Sequence, residues 1–241
     1  MKAIEEPQLA VKRKLPCFID IFLYPLTFSG LTNLAIFIGV PLLIDFLWKI
    51  LIIQLACLFQ LVSLVVEIVV FLYMYWYFAE CIRDSAGGGL RAPEAFVNSP
   101  TIGDMFLQTV NIIGCLVVFF APFVLYVLFA RRADIIFWLL LAYAVFVYPM
   151  ALLAIVVFDS VSALKPRLLF RSISNTFFPY TGLVLLFVAA VLLIGVLRQR
   201  VQGPGYLAFI LRCASIYLAF VAAHLLGRFY WRHEEKLNWE V

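Results

Sequence analysis

The chain has 241 residues, of which 66% are hydrophobic and 13% charged, with a formal net charge of +4 and a mean hydropathy of +1.06. A water-soluble domain carries about 25% charged residues and about half apolar ones, so the excess apolar surface points to lipid as solvent. No polar stretch is long enough to form a separate soluble domain, and no basic run with interleaved aromatics outside the apolar spans suggests a nucleic-acid surface.

Residues 1–14 read as a polar arm. MKAIEEPQLAVKRKLP has no apolar core and no small-residue cleavage site, so it does not read as a signal peptide. Lys12, Arg13 and Lys14 suit an anionic lipid surface, and Leu15 to Phe28, broken by Pro16 and Pro25, suits the interface. Residues 15–226 read as the transmembrane domain and 227–241 as a short cytoplasmic tail.

The first span is expected from about Gly30 to Trp48, with Asp45 and Lys49 marking a turn and pairing at i, i+4. The second runs from about Ile50 to Phe78, longer than the roughly 20 residues a bilayer core needs, and its helix is expected to stop at Gly87-Gly88-Gly89. In the link that follows, Ser99-Pro100 reads as a helix start with Asp104 near the positive end of the dipole.

The third span then reaches Phe129, with Pro122 as a kink. Arg131, Arg132 and Asp134 turn the chain into a fourth span, from about Ile135 to Phe158, with Pro149 inside it. Asp159 ends this span and is expected to meet Arg83, Lys165 or Arg167.

Pro166 starts an amphipathic segment with Arg167, Arg171 and Ser174 on one face and Leu169, Ile173 and Phe177 on the other. The fifth span, about Tyr180 to Leu197, is followed by a turn at Gly203-Pro204-Gly205. The sixth is about Tyr206 to Leu226. The expected fold is therefore all-α: an integral membrane bundle of about six spans with interfacial helices. YPLTFSGLTNL at Tyr24 and FPYTGLVLL at Phe178 look alike, which suggests hairpins each led by an interfacial segment.

Six spans put both termini on one side. Lys and Arg in the N-terminal arm, Arg83, Arg91, Lys165, Arg167, Arg171 and the tail outnumber Lys49, Arg131, Arg132, Arg198, Arg200 and Arg212 on the other side. The bias predicts both termini in the cytoplasm of a cell-membrane protein.

YPMALLAIVVFDSVSALKPRLLFRSISNTFFPY resembles the pattern of a bacterial and archaeal membrane family of unknown function, distantly similar to Yip-type membrane proteins. Its marks are Pro149 in one helix, Ala163 with Pro166 in the link, and Tyr180 leading the next span. YFAECIRDSAGGGLRAPEAF is similar too, with Arg83 at an aromatic helix end, then glycines, then Pro93-Glu94. The likeness spans about Tyr24 to Leu197 through boundary motifs, and departs at Ala95-Phe96, where a tryptophan and an acid are expected. It implies a multi-pass helical fold and argues against an enzyme; no catalytic residues carry over.

Glu67 is the main candidate for chemistry. It lies inside the second span, where an ionised carboxylate costs at least ~2.5 kcal/mol unless protonated or paired. Gln60 is two turns away on the same face, and Asn111 or Gln108 in the third span are candidate partners. Glu67, Gln60 and Asn111 thus form a candidate intramembrane polar site, coupling a proton or substrate; the alternative is a packing hydrogen bond.

His224 reads as a packing residue. His233-Glu234-Glu235-Lys236-Leu237 lacks the second His of a zinc-protease motif, and the glycine run is not followed by Lys-Ser/Thr. The five scattered cysteines form neither a disulfide framework nor a zinc spacing. No catalytic residue, cofactor or metal is expected. The leading expectation is a non-enzymatic membrane-organising or partner-binding subunit, with the lipid bilayer and other membrane proteins as partners. The competing one is a small transporter or channel.

Overall fold

A computed structural model describes residues 21–50, 56–94, 100–200, 205–237 and 239. The polar arm, Ser99, the departure at Ala95-Phe96, Gly203-Pro204 and the side chain of Lys49, with its expected pairing to Asp45, lie outside what is described. Seven α-helices are present among the described residues: α1 (Phe28–Ile50), α2 (Ala56–Ala86), α3 (Ile102–Ala130), α4 (Ile135–Phe158), α5 (Pro166–Asn175), α6 (Phe177–Arg200) and α7 (Gly205–Leu237). All but α5 are long and apolar enough to cross a membrane. The protein is an all-α, multi-pass membrane bundle of the kind the composition requires, because in lipid each backbone polar group must be satisfied within its own segment.

Helix ends match local chemistry. Thr101 caps α3 through a reciprocal box: its hydroxyl accepts from the Asp104 amide at 3.2 Å, while the Asp104 carboxylate accepts from the Thr101 amide at 3.1 Å. The cap therefore falls at Thr101, two residues after the expected serine. Asp134 caps α4 by accepting from the Phe137 amide at 3.2 Å. The Tyr126 hydroxyl donates to the same carboxylate. That bond, and then the amide, hold the Asp134 carboxyl below the usual carboxylate range.

α2 runs on past the expected Phe78 to Ala86, where Gly87 donates to Arg83 O at 2.9 Å and Gly88 turns with φ +90°. α7 likewise continues through most of the expected tail, with a break in helical geometry at His233.

The even number of spans gives the bundle two faces. The near face carries the helix ends at Phe28, Ala86, Ile102, Phe158, Phe177 and Leu237; the far face carries the opposite ends. Nearly all the packing lies toward the near face. There α2 buries Tyr77, Ala79, Cys81, Ile82 and Ser85, α4 buries Met150 through Val156, and α7 buries Phe220, Ala223, Leu226 and Phe229. Toward the far face, Leu61, Leu125 and Val191 are 64%, 51% and 69% exposed, the apolar surface that lipid covers.

α4 is the central helix: 56% of its apolar stretch is buried inside the protein, against 28% or less for every other span.

The α2–α7 contact is the most extensive in the fold. It is close because Gly227 has no side chain: a Cβ there would stand 2.4 Å from Ile82 O and 2.5 Å from Ser85 Cβ.

α5 lies across the near face. Leu169, Ser172 and Ile173 are buried while Arg167, Arg171 and Ser174 are exposed, as the periodicity predicts. Phe177 falls instead in the first turn of α6 and is half exposed. Trp239 Nε1 donates to Ser172 Oγ at 2.7 Å and Asn175 Nδ2 to Lys236 O at 3.1 Å, fastening α5 to the end of α7.

Candidate functional site: a charged cleft toward the far face

Two polar assemblies lie within the bundle, with opposite characters. The one at the near face is closed. Arg83 on α2 donates from Nε to Val156 O on α4 at 3.0 Å, and from NH2 to Gln108 Oε1 on α3 at 2.6 Å and to Asp159 Oδ1 at 3.0 Å. Glu80, one turn back, lies 3.3 Å from NH1.

Val156 O is one of the last carbonyls of α4, which have no partner inside the helix, and Asp159 leaves that helix with φ 49°. One guanidinium thus caps α4 and ties three helices together. Of the three cations expected near Asp159, Arg83 is the one whose bond the structure shows. Gln108, read as a candidate partner for Glu67, is committed to Arg83 instead.

Close by, Ser85 Oγ and His224 Nδ1 share a hydrogen bond of 2.7 Å, and the Tyr24 ring stacks on His224 at 3.9 Å. Ser85 is 0% and His224 2% exposed, so this serine–histidine pair is fully buried between the helices. It locks α7, α2 and the turn before α1 together, the packing role expected of His224. Burial pushes the Tyr24 phenol far above its ordinary pKa, and its hydroxyl donates to Cys81 O at 3.4 Å.

The assembly toward the far face is open. Between α1, α2, α6 and α7 lies a cleft of about 830 Å³. Its polar lining is Asp45 from α1, Glu67 from α2, Arg198 from α6, and Arg212 and Ser215 from α7; Phe37, Ile44, Phe71, Phe209 and Ile216 are among the apolar remainder.

The helices divide these charges by sign. α1 and α2 contribute the two acids, and α6 and α7 the two arginines. None of the four forms a hydrogen bond or ion pair with a described residue. Glu67 sits eleven residues into α2, roughly 16 Å along the helix axis, and Arg212 seven residues into α7, roughly 10 Å, and both fall within the apolar spans Phe59–Ala86 and Leu207–Leu237. The Ser215 hydroxyl is spent on Leu211 O, one turn back on its own helix, at 2.7 Å.

The sequence-derived trio does not assemble. Glu67 lines the cleft, whereas Gln60 and Asn111 do not; Gln60 is exposed on α2 and Asn111 is buried in α3. The structure places Asp45, Arg198 and Arg212 beside Glu67 instead. The one local hint to this was Arg212, a charge six residues inside an apolar run, which reads in sequence as a loop cation.

Among the described residues no group of three His, Cys, Asp or Glu is placed to hold a metal ion. A second cavity of about 650 Å³ lies between the first turns of α1 and Arg91–Glu94.

The fold and the cleft define the class: a multi-pass α-helical membrane protein with charged groups within its spans. Comparison with protein-family models, with curated sequences and with solved structures finds no match.

Proposed function

We propose that this chain is a non-enzymatic membrane protein of the small transporter or channel type, which takes a polar solute into the cleft at Glu67. The observation that carries this reading is the cleft of about 830 Å³ lined by Asp45, Glu67, Arg198 and Arg212, none of them neutralised by a described residue. Ionisable groups inside a membrane are costly, and where they persist they face the bundle interior or a water-filled cavity, or pair with one another or with backbone carbonyls; a cleft with no such pair among the described residues favours the cavity. The protein sits in the cell membrane with both termini in the cytoplasm, so the cleft opens outward; the distribution of Lys and Arg supports this orientation.

The test is water access. Glu67→Cys protein in intact membrane vesicles is treated with a membrane-impermeant, cationic methanethiosulfonate reagent and its mass compared with that of the unsubstituted protein. One additional adduct is expected. No additional adduct, with the variant folded, means that position 67 faces lipid and removes the reading.

A second reading, a membrane-organising or partner-binding subunit, draws on the surface-lying α5 and on the resemblance to the Yip-like membrane family. It predicts a reproducible partner after purification in mild detergent, or a change in vesicle shape on reconstitution, whether or not Glu67 is present.

A further inference from the structure

The cleft separates its charges by sign, and that separation says what kind of solute fits it. Among the described residues of its lining the acids, Asp45 and Glu67, come from α1 and α2, and the arginines, Arg198 and Arg212, from α6 and α7. Among the described residues no ion pair joins the acids to the arginines. Opposite charges that line one cleft without pairing suit a guest that satisfies both.

A cation alone would leave the arginines uncompensated, and an anion alone would leave the acids so. A guest carrying both signs compensates both sets. Arginine matches the anionic end in particular, because its planar fork binds a carboxylate or phosphate through two parallel hydrogen bonds.

We infer that the ligand of this cleft is a zwitterion, with its ammonium group against Glu67 and Asp45 and its carboxylate or phosphate against Arg212 and Arg198. This rests on the cleft being the binding site. Free amino acids and the headgroup of an aminophospholipid share this chemistry, and the apolar side chains Phe71 and Phe209 in the same lining accept the hydrocarbon part of either.

The experiment is equilibrium binding to the full-length protein in nanodiscs, with empty nanodiscs as blank. One arm uses leucine against N-acetyl-leucine and leucine methyl ester, which keep one charge each. The other uses dihexanoyl phosphatidylethanolamine against dihexanoyl phosphatidylglycerol. In one arm the zwitterion is expected to bind about tenfold or more tighter than its singly charged analogues, and that arm identifies the source. Glu67→Gln and Arg212→Gln are each expected to abolish the preference, and Glu67→Asp to keep it.

Equal binding of an analogue, no binding in either arm, or a preference that survives Arg212→Gln overturns the inference. The two readings fail separately: if the Glu67→Cys protein is labelled from water but no zwitterion is preferred, only the ligand class is wrong. A Glu67→Cys protein that takes up no label sinks the cleft itself.

Discussion

The phenol oxygen of Tyr180 accepts the backbone amide of Met150 at 3.2 Å, and the same hydroxyl donates to the carbonyl of Phe146. These two backbone groups lie one turn apart, the pair that an α-helical ladder joins, and they flank Pro149, which cannot donate and pushes its own turn open. A side chain from α6 therefore repairs the proline break in the most buried helix. Tyr180→Phe leaves both buried backbone groups without that partner, and is expected to cost about 1–3 kcal/mol. Thermal unfolding in a fixed detergent checks this; an unchanged midpoint would mean that water replaces the hydroxyl.

Arg83 is expected to matter for the assembly of three helices. Arg83→Gln removes the bonds to Val156 O and Asp159 and leaves Gln108 unpaired, at a cost of about 1–3 kcal/mol. Arg83→Lys should recover only part, because a single ammonium cannot reproduce the fork that reaches α3 and α4 together. The readout is the denaturant midpoint, in the order wild type, Lys, Gln.

Glu67→Gln should leave stability within about 0.5 kcal/mol of the parent, because Glu67 bonds to no described residue. A large loss of thermal stability would instead indicate a packing hydrogen bond. The contrast with Arg83→Gln separates a charge kept for a ligand from one that holds helices together.

Gly227→Ala places a methyl group against Ile82 O and Ser85 Cβ at distances that real side chains do not adopt. α2 and α7 must then move apart, with an expected loss of about 1–3 kcal/mol or more. The fraction of monodisperse protein recovered by size-exclusion chromatography should fall sharply, while Gly195→Ala, where nothing lies within 4 Å of the added carbon, should be silent.

Asp134 gives a dependence on pH. Its carboxyl is held below the ordinary range, first by the Tyr126 hydroxyl and then by the Phe137 amide. A carboxylate whose folded pKa is depressed contributes stability above its unfolded value, about 3.9, and loses it as pH falls through the folded value. Wild type should exceed Asp134→Asn in melting temperature at neutral pH, and the gap should narrow only below about pH 4. A gap that is constant down to about pH 3, below the unfolded value, would assign the difference to shape alone.

The spans were legible because lipid demands long apolar runs, and where polar punctuation is sharp the match is close. Asp134 and Asp159 bracket α4, and its bounds fall where expected. Where aromatics blur the boundary, as at Tyr73 to Phe78 and at Phe229 and Tyr230, the helices run on, because those rings pack into or against the near-face core. α5 was legible from its two faces.

The near-face network was half legible. Asp159 pointed toward Arg83, but Gln108 and Val156 join it across contacts that no local pattern encodes. The cleft was hardest to read: Glu67 stood out inside its span, but Asp45, Arg198 and Arg212 each resemble a turn or loop charge, and only the packing of four helices brings the four together.

The concentration of packing toward one face has a mechanical consequence. Half of the bilayer surrounds a tightly bound stem, and the other half surrounds blades that, apart from the α3–α4 pair joined by Tyr126 and Asp134, bury few side chains against one another. Lateral pressure in that one leaflet then sets how wide the blades stand. Lipids that thin or crowd the monolayer on the far side would tune the opening without touching the stem, as fingers close the tips of forceps whose joint stays rigid.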